Sequence, residues 1–76
     1  MKRNRRAFLV NLGTEIRRRR TDRKWTQARL ADNSDITQKY LCEIEAGKRN
    51  PSVDCIRRIC DSLEIELAGL FREVKP

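Results

Sequence analysis

Residues 27–46 read QARLADNSDITQKYLCEIEA, and this stretch predicts two short helices joined by a tight turn. Thr26 precedes the first helix as its N-cap, because a threonine oxygen accepts hydrogen bonds from the free N–H groups of a first helical turn. Ser34-Asp35-Ile36 is the predicted turn, and Thr37 caps the second helix. Gly47 ends the second helix, since glycine adopts positive φ at low cost just past a helix end.

On both sides of this stretch, apolar residues recur at spacings of three and four, which indicates further helices. Asn50-Pro51-Ser52 is a break followed by a new N-cap, and Asp54 suits the positive end of the helix that follows. The spacing predicts an all-α, compact five-helix domain over residues 7–76, preceded by a basic N-terminal arm over residues 1–6. The predicted inward positions, in chain order, are Phe8, Leu9, Leu12, Ile16, Leu30, Ala31, Leu41, Ile44, Val53, Ile56, Ile59, Cys60, Leu63, Ile65, Leu67, Leu70 and Phe71.

The composition allows one small domain and argues against a membrane protein. Hydrophobic and charged residues each make up 38% of the 76 residues. No apolar run approaches the roughly 18 residues that a membrane-spanning helix needs. The short run at residues 8–10 also lacks the length and the cleavage site of a signal peptide. We therefore expect a cytoplasmic protein with no membrane partner.

The charge is strongly positive and unevenly distributed. Eighteen lysines and arginines oppose eleven acids, giving a formal net charge of +7. Residues 1–24 hold ten of the basic groups and two acids, whereas residues 61–76 hold four acids and two bases. This imbalance favours a polyanionic partner at one end of the molecule, usually a nucleic acid. From charge alone, a merely solvated basic surface stays an open alternative.

Catalytic and metal chemistry find little support in the residue types present. The chain has no histidine and three cysteines, Cys42, Cys55 and Cys60, without a CxxC pair. A zinc site needs four ligands, so no metal site is expected, and the cysteines are interpreted as reduced, small hydrophobic residues. No phosphate-binding glycine loop and no nucleophile–base set occurs. The sequence predicts neither an enzyme nor a cofactor.

The two-helix stretch resembles the helix-turn-helix of the phage repressor and Cro class, also called the xenobiotic-response-element class. The similarity runs without a gap over residues 12–71, and its markers include Thr26-Gln27, Ala31, Ile36, the run Ile44-Glu45-Ala46-Gly47-Lys48 and Asn50-Pro51-Ser52. The resemblance implies a lambda-repressor-like fold that binds double-stranded DNA. Asp35 is a departure, because glycine is usual there in the family and the position is expected to have positive φ. Aspartate tolerates that conformation at a modest cost.

In such a motif the second of the paired helices, from about Gln38 to Ala46, enters the major groove with its first turn. Gln38 can pair with an adenine edge, and Lys39 can donate to guanine O6 and N7. Glu43, one turn further along, could accept from cytosine N4 or exclude other bases by its charge. Solvated polar side chains are the alternative for Gln38 and Glu43. Stacking platforms for single-stranded RNA are not apparent.

A second set of side chains is expected at DNA phosphates, near helix N-termini or after the recognition helix. Tyr40 is in this set, although an aromatic residue there could equally serve packing. The basic arm over residues 1–6 could wrap DNA or lie in a minor groove, with disorder as the open alternative. The predicted phosphate contacts are Thr26, Gln27, Thr37, Tyr40, Lys48, Arg49 and Asn50.

One charged pair is predicted inside the fold. By helical period, Arg20 continues the inward stripe of the first helix, and Glu45 lies on the inner face of the third. A buried charge needs a partner. We therefore expect an Arg20–Glu45 ion pair, which the family resemblance also implies. Trp25, just before the Thr26 cap, is expected to pack the first two helices together.

The leading hypothesis is a sequence-specific transcriptional regulator that binds a palindromic operator as a homodimer. A recognition helix contacts few base pairs, so two half-sites about one helical turn apart would supply the remaining affinity. No small-molecule ligand is expected. Controller proteins of restriction–modification systems look similar in size and layout, with prophage repressors and antitoxins as competitors. An antitoxin or protein-interaction module that also binds DNA is the alternative. Residues 64–74 could form the dimer interface or close the monomer core.

Overall fold

The computed structural model describes residues 5–75, and this part of the chain folds into five helices without a strand. The helices are α1 (Arg5–Asp22), α2 (Gln27–Asn33), α3 (Gln38–Glu45), α4 (Val53–Leu63) and α5 (Leu67–Glu73). The predicted all-α, five-helix fold is confirmed. The start of α1 differs from the proposed boundary: the last two residues of the predicted arm are already helical, and residues 1–4 lie outside the described part.

Three of the four later helices begin at the caps predicted from the sequence. The hydroxyl oxygens of Thr26, Thr37 and Ser52 accept hydrogen bonds from the backbone N–H three residues on, at 3.0–3.1 Å. Each cap residue has extended backbone angles, as an N-cap requires. These caps satisfy donors that the helix itself cannot, so the start of α2, α3 and α4 is determined locally.

The core forms where α1 packs on α3, α2 on α3 and α4, and α5 on α1 and α4. Three of the predicted inward residues are exposed instead. Phe8 and Phe71 are about 40% exposed and stack on each other with ring centroids 6.5 Å apart, while Val53 is 73% exposed. Phe8 and Phe71 lie at the rim, where each ring has only the other as an aromatic partner among the described residues. The fully buried apolar residues are Leu12, Ile16, Leu30, Ala31, Leu41, Ile44, Cys55, Ile56, Ile59, Cys60, Leu63 and Leu70.

Two glycines bring α1 against the end of α3. A Cβ added to Gly13 would collide with the backbone of α3, lying 2.6 Å from the carbonyl oxygen of Glu45. Gly47 has φ of +75°, and a Cβ there would lie 2.6 Å from Cγ2 of Val10. The predicted positive-φ helix end at Gly47 is therefore confirmed, whereas the close approach at Gly13 was not predicted. Together they allow the close approach of α1 to the end of α3.

The turn between α2 and α3 contains the predicted strained residue. Asp35 has φ of +57°, in the left-handed region that glycine usually occupies. From α4, Nη1 of Arg58 donates to the carbonyl oxygens of Ser34 and Asp35, each at 3.0 Å. The hydroxyls of Ser34 and Ser62 are 2.9 Å apart. The turn is therefore held from the side by α4, which offsets the cost of a non-glycine residue.

Candidate nucleic-acid interface

The outward face of α3 is exposed, and its first turn is polar. Gln38, Lys39 and Cys42 are exposed, as is Ala46 at the C-cap, while the opposite face carries the buried residues Leu41, Ile44 and Glu45. Gln38, Cys42 and Ala46 are four residues apart, so they follow one side of the helix. The structure thus places the predicted base-contact residues Gln38 and Lys39 side by side, exposed in the first turn of α3.

Cys42 corrects the interpretation of the three cysteines. Cys55 and Cys60 are buried, and burial raises the pKa of both thiols, consistent with inert core residues. Cys42 is exposed on α3, in line with Gln38. Its helical spacing from Gln38 was the signal that could have placed it on the outward face. It is a surface residue of the candidate interface.

The predicted phosphate contacts lie around the two ends of α3 and at the start of α2. Thr26, Thr37, Lys48, Arg49 and Asn50 are all exposed. The cap hydrogen bonds use the oxygens of the two threonines as acceptors, so their hydroxyl hydrogens remain able to donate to an anion. The arrangement therefore offers donors on both flanks of the recognition helix, as backbone positioning of DNA requires.

Gln27, predicted to contact a phosphate, forms a hydrogen bond within the fold. Its Nε2 donates to Oε1 of Glu45 at 3.0 Å, and the side chain is half-buried. One amide hydrogen is thereby committed to joining α2 and α3, which leaves at most the second hydrogen for a phosphate. The sequence could not show this contact, because it depends on how α2 crosses α3.

The structure brings Arg20 and Glu45 together in a two-pronged ion pair. Nε and Nη2 of Arg20 donate to the two oxygens of Glu45 at 2.8 and 3.0 Å, and the side chains are only 10% and 3% exposed. Nη1 of Arg20 also donates to the carbonyl oxygen of Trp25 at 2.8 Å. With Gln27, the cluster ties α1, the α1–α2 connection and α2 to the inner face of α3. It fixes the orientation of the recognition helix from behind.

Trp25 is more than a hydrophobic contact between helices. It packs against the core half-buried, and the guanidinium groups of Arg23 and Arg29 lie 4.8 and 4.5 Å from its ring centroid. Arg23 also donates to the carbonyl oxygen of Leu63, at the end of α4. These cation–π contacts were not predicted, although arginines two residues before and four after a tryptophan were the available signal.

Glu43 and Arg49 form an ion pair at the edge of the candidate interface. Nε of Arg49 lies 3.0 Å from Oε1 of Glu43, and the Arg49 guanidinium carbon lies 5.7 Å from the centroid of the Tyr40 ring. Tyr40 is half-buried against the core. Glu43 is therefore not an unpaired carboxylate, and Tyr40 has a packing role.

A shallow groove lies between the start of α1 and the end of α3. It is lined by Arg5, Arg6, Leu9, Val10, Ala46, Gly47 and Lys48. Its three cations come from two separated parts of the chain, and no acidic residue lines it. The groove places basic charge just beyond the C-terminal end of the recognition helix.

Neither metal nor membrane chemistry gains support from the described residues. Over residues 5–75, no group of cysteine, aspartate and glutamate side chains is arranged to hold a metal ion. Within the same span, no helix has the length and apolar character needed to cross a bilayer.

Comparison with known proteins assigns the motif. Residues 16–70 match the family described as Helix-turn-helix. The chain is 30% identical over 64 residues to the immunity repressor of Bacillus phage phi105, an alignment that covers 84% of this chain and 44% of the repressor. It is 36% identical over 61 residues to the HTH-type transcriptional regulator SlrR of Bacillus subtilis, with 79% and 40% covered. The chain thus spans less than half the length of these relatives.

Two solved structures extend the comparison. The restriction–modification controller protein C.AhdI of Aeromonas hydrophila superposes with a TM-score of 0.81 at 35% identity, covering 83% of this chain and 96% of the controller. The clp gene regulator ClgR of C. glutamicum gives a TM-score of 0.83 at 27% identity, with 96% and 91% covered. These relatives are transcription regulators, a non-enzymatic class. The chain belongs to the helix-turn-helix family of DNA-binding transcription regulators.

Proposed function

We propose that this chain is a sequence-specific regulator that binds a two-fold symmetric DNA operator as a homodimer. The observation that carries the proposal is the exposed polar side of α3, which starts at the Thr37 cap and is held from behind by the buried Arg20–Glu45 pair. A rigid helix with a polar outward face, short enough to lie in a major groove, suits direct contact with base edges.

In this proposal Gln38 and Lys39 contact bases, and the exposed donors around them position the backbone. Gln38 can accept from and donate to an adenine edge, while Lys39 donates to guanine acceptors. The hydroxyl groups of Thr26 and Thr37, together with Lys48 and Asn50, donate to phosphates on the two flanks. Their exposure and placement on either side of α3 support these roles.

The homodimer follows from the amount of DNA that one copy can contact. A recognition helix of eight residues contacts only a few base pairs, which limits both affinity and specificity. Two copies related by a two-fold axis would contact half-sites about one helical turn apart. The exposed Phe8–Phe71 pair at the junction of α1 and α5 is the apolar surface that we propose for contact between the copies.

The regulator subtype that we favour is a restriction–modification controller protein. The similarity to C.AhdI supports this choice, because it covers nearly the full length of that small controller at 35% identity. We also propose that the protein acts in the cytoplasm, where its DNA target would be accessible.

Selection from a random duplex library with purified protein tests the proposal. A two-fold symmetric consensus is expected, with a complex containing two copies of the chain per duplex. A single asymmetric half-site bound by one copy would contradict the homodimer, and failure to enrich any sequence would contradict sequence-specific binding.

A matched pair of variants tests the base-contact assignment. Gln38→Ala should weaken operator binding by roughly 1–3 kcal/mol and relax the preference at one base position. The control is Arg72→Ala on α5, a helix that packs on α1 and α4; because it removes a positive charge, its readout is the base preference, which should stay unchanged. If Gln38→Ala keeps both affinity and base preference, Gln38 is a solvated side chain and does not contact a base.

A further inference from the structure

We propose that Glu43 is a positioning residue, which orients Arg49 toward a DNA phosphate and does not itself contact a base. The inference rests on the proposed DNA-binding function and deepens it. It also revises the role expected for Glu43 from the sequence, where its place on α3 suggested a direct contact with cytosine.

The first step is the relative depth of the two side chains. The Glu43 side chain is 29% exposed and that of Arg49 is 55% exposed, with 3.0 Å between Oε1 and Nε. The Glu43 side chain is thus the more buried of the two, and that of Arg49 is the more exposed. A side chain that contacts a base directly would instead be expected to be the more exposed member of such a pair.

The second step is that Arg49 is restrained on two sides. Its guanidinium carbon is 5.7 Å from the Tyr40 ring centroid, within the range of a cation–π contact. Tyr40 belongs to α3 and packs against the core, so its ring is a fixed surface. Contact with both Glu43 and Tyr40 ties Arg49, which lies beyond the end of α3, back onto the recognition helix.

The third step is the set of donors left over. A guanidinium has five N–H groups, and the contact with Glu43 uses the one at Nε. Among residues 5–75, no atom accepts a hydrogen bond from Nη1 or Nη2 of Arg49. Two adjacent nitrogen atoms held in one plane match the oxygens of a phosphate group, and charge-assisted pairs of this kind are short and directional.

The charge balance explains why such a restraint has a cost. Glu43 offsets the positive charge of Arg49, so the pair as a whole attracts DNA less than a free arginine would. In return Arg49 is already oriented, and less side-chain freedom is lost when it meets a phosphate in the correct register. The expected result is weaker attraction to arbitrary DNA and a better ratio of specific to non-specific binding.

The test compares Glu43→Gln, Arg49→Ala and the double variant with the unmodified chain, on the selected operator and on a random duplex. Glu43→Gln should tighten binding to the random duplex and steepen its salt dependence by up to about one unit of log–log slope. The ratio of specific to non-specific affinity should fall about two- to fivefold, the range that exposed ion pairs span. That fall should vanish in the Arg49→Ala background, because Glu43 then has nothing to orient.

Asp54→Asn is the matched control, since it removes one ion-paired carboxylate from α4 and changes the net charge equally. Identical effects of Glu43→Gln and Asp54→Asn would overturn the proposal, as would an altered base preference that persists when Arg49 is absent. Arg49→Lys should have a lower specificity ratio than the unmodified chain, because lysine keeps the positive charge but lacks the planar guanidinium group. Failure of the unmodified chain to bind any duplex would instead contradict the proposed function itself.

Discussion

The sharpest stability prediction concerns the buried Arg20–Glu45 pair. Glu45→Ala removes the carboxylate that accepts from both Nε and Nη2 of Arg20, at a site where the arginine side chain is 10% exposed. The guanidinium keeps a single hydrogen bond, to the carbonyl oxygen of Trp25. The amide of Gln27 loses its acceptor as well. A charge would therefore remain next to the core with most of its donors unsatisfied.

The magnitude follows from what is left behind. Removing one partner of a buried ion pair typically costs about 3–5 kcal/mol. A chain of 76 residues has a free energy of unfolding of roughly 4–11 kcal/mol. The free energy of unfolding of Glu45→Ala should therefore fall by about 3–5 kcal/mol, which is enough to unfold the chain at the lower end of that range. Replacing both partners, as in Arg20→Met with Glu45→Met, leaves no unpaired charge and forgoes mainly the bonds with Trp25 and Gln27, at about 1 kcal/mol each.

Urea denaturation of Arg20→Met, Glu45→Met and the double variant, followed by circular dichroism, gives the coupling free energy, and Glu45→Ala is measured beside them. The double variant should be more stable than Glu45→Ala, and the coupling free energy should exceed about 1.5 kcal/mol. Coupling below about 0.5 kcal/mol would refute the reasoning. If Arg20→Ala then also weakened DNA binding without destabilising the fold, Arg20 would belong with the DNA contacts.

Four further outcomes are expected. Gly13→Ala should destabilise the fold by about 1–3 kcal/mol, measured in a thermal melt, because its Cβ would clash with the backbone of α3. An unchanged melting temperature would mean that the two helices separate easily. Asp35→Gly should stabilise the fold by up to about 1 kcal/mol by relieving positive φ, and a loss of stability would show that the aspartate side chain matters more than its backbone angle. The hydrogen bond from Arg18 lowers the pKa of Glu15 below its ordinary value of 4.5; burial opposes this shift, and the hydrogen bond from Arg19 adds to it. The stabilising contribution of Glu15 is therefore present at neutral pH and lost as the pH falls through the folded-state pKa, so Glu15→Gln should flatten the acid limb of a stability–pH curve. Replacing Arg5 and Arg6 by alanine should lower the salt slope of operator binding by up to about two units, whereas an equal slope would leave the groove at the start of α1 outside the DNA contact.

Much of this fold was predictable because its determinants are local. The caps at Thr26, Thr37 and Ser52 and the positive φ at Asp35 each depend on neighbouring residues in the chain. The inward stripe of each helix depends only on a spacing of three or four residues. The placement of Arg20 on the inner side of α1 followed from that same period. Sequence also indicated the outward helix and the base-contact candidates at its first turn, because the motif has fixed spacing.

Tertiary structure alone decided the contacts between elements that are distant in the chain. The approach of Gly13 to α3, the stacking of Phe8 on Phe71 and the hydrogen bond from Gln27 to Glu45 depend on helix crossings that no local pattern specifies. The same holds for the role of Glu43. Its helical position suggested a free carboxylate, but the chain turns back after Gly47 and places Arg49 beside it. Which polar side chains on α3 keep free donors and acceptors is therefore decided by packing, because these groups are known only once the contacts with neighbouring side chains are known.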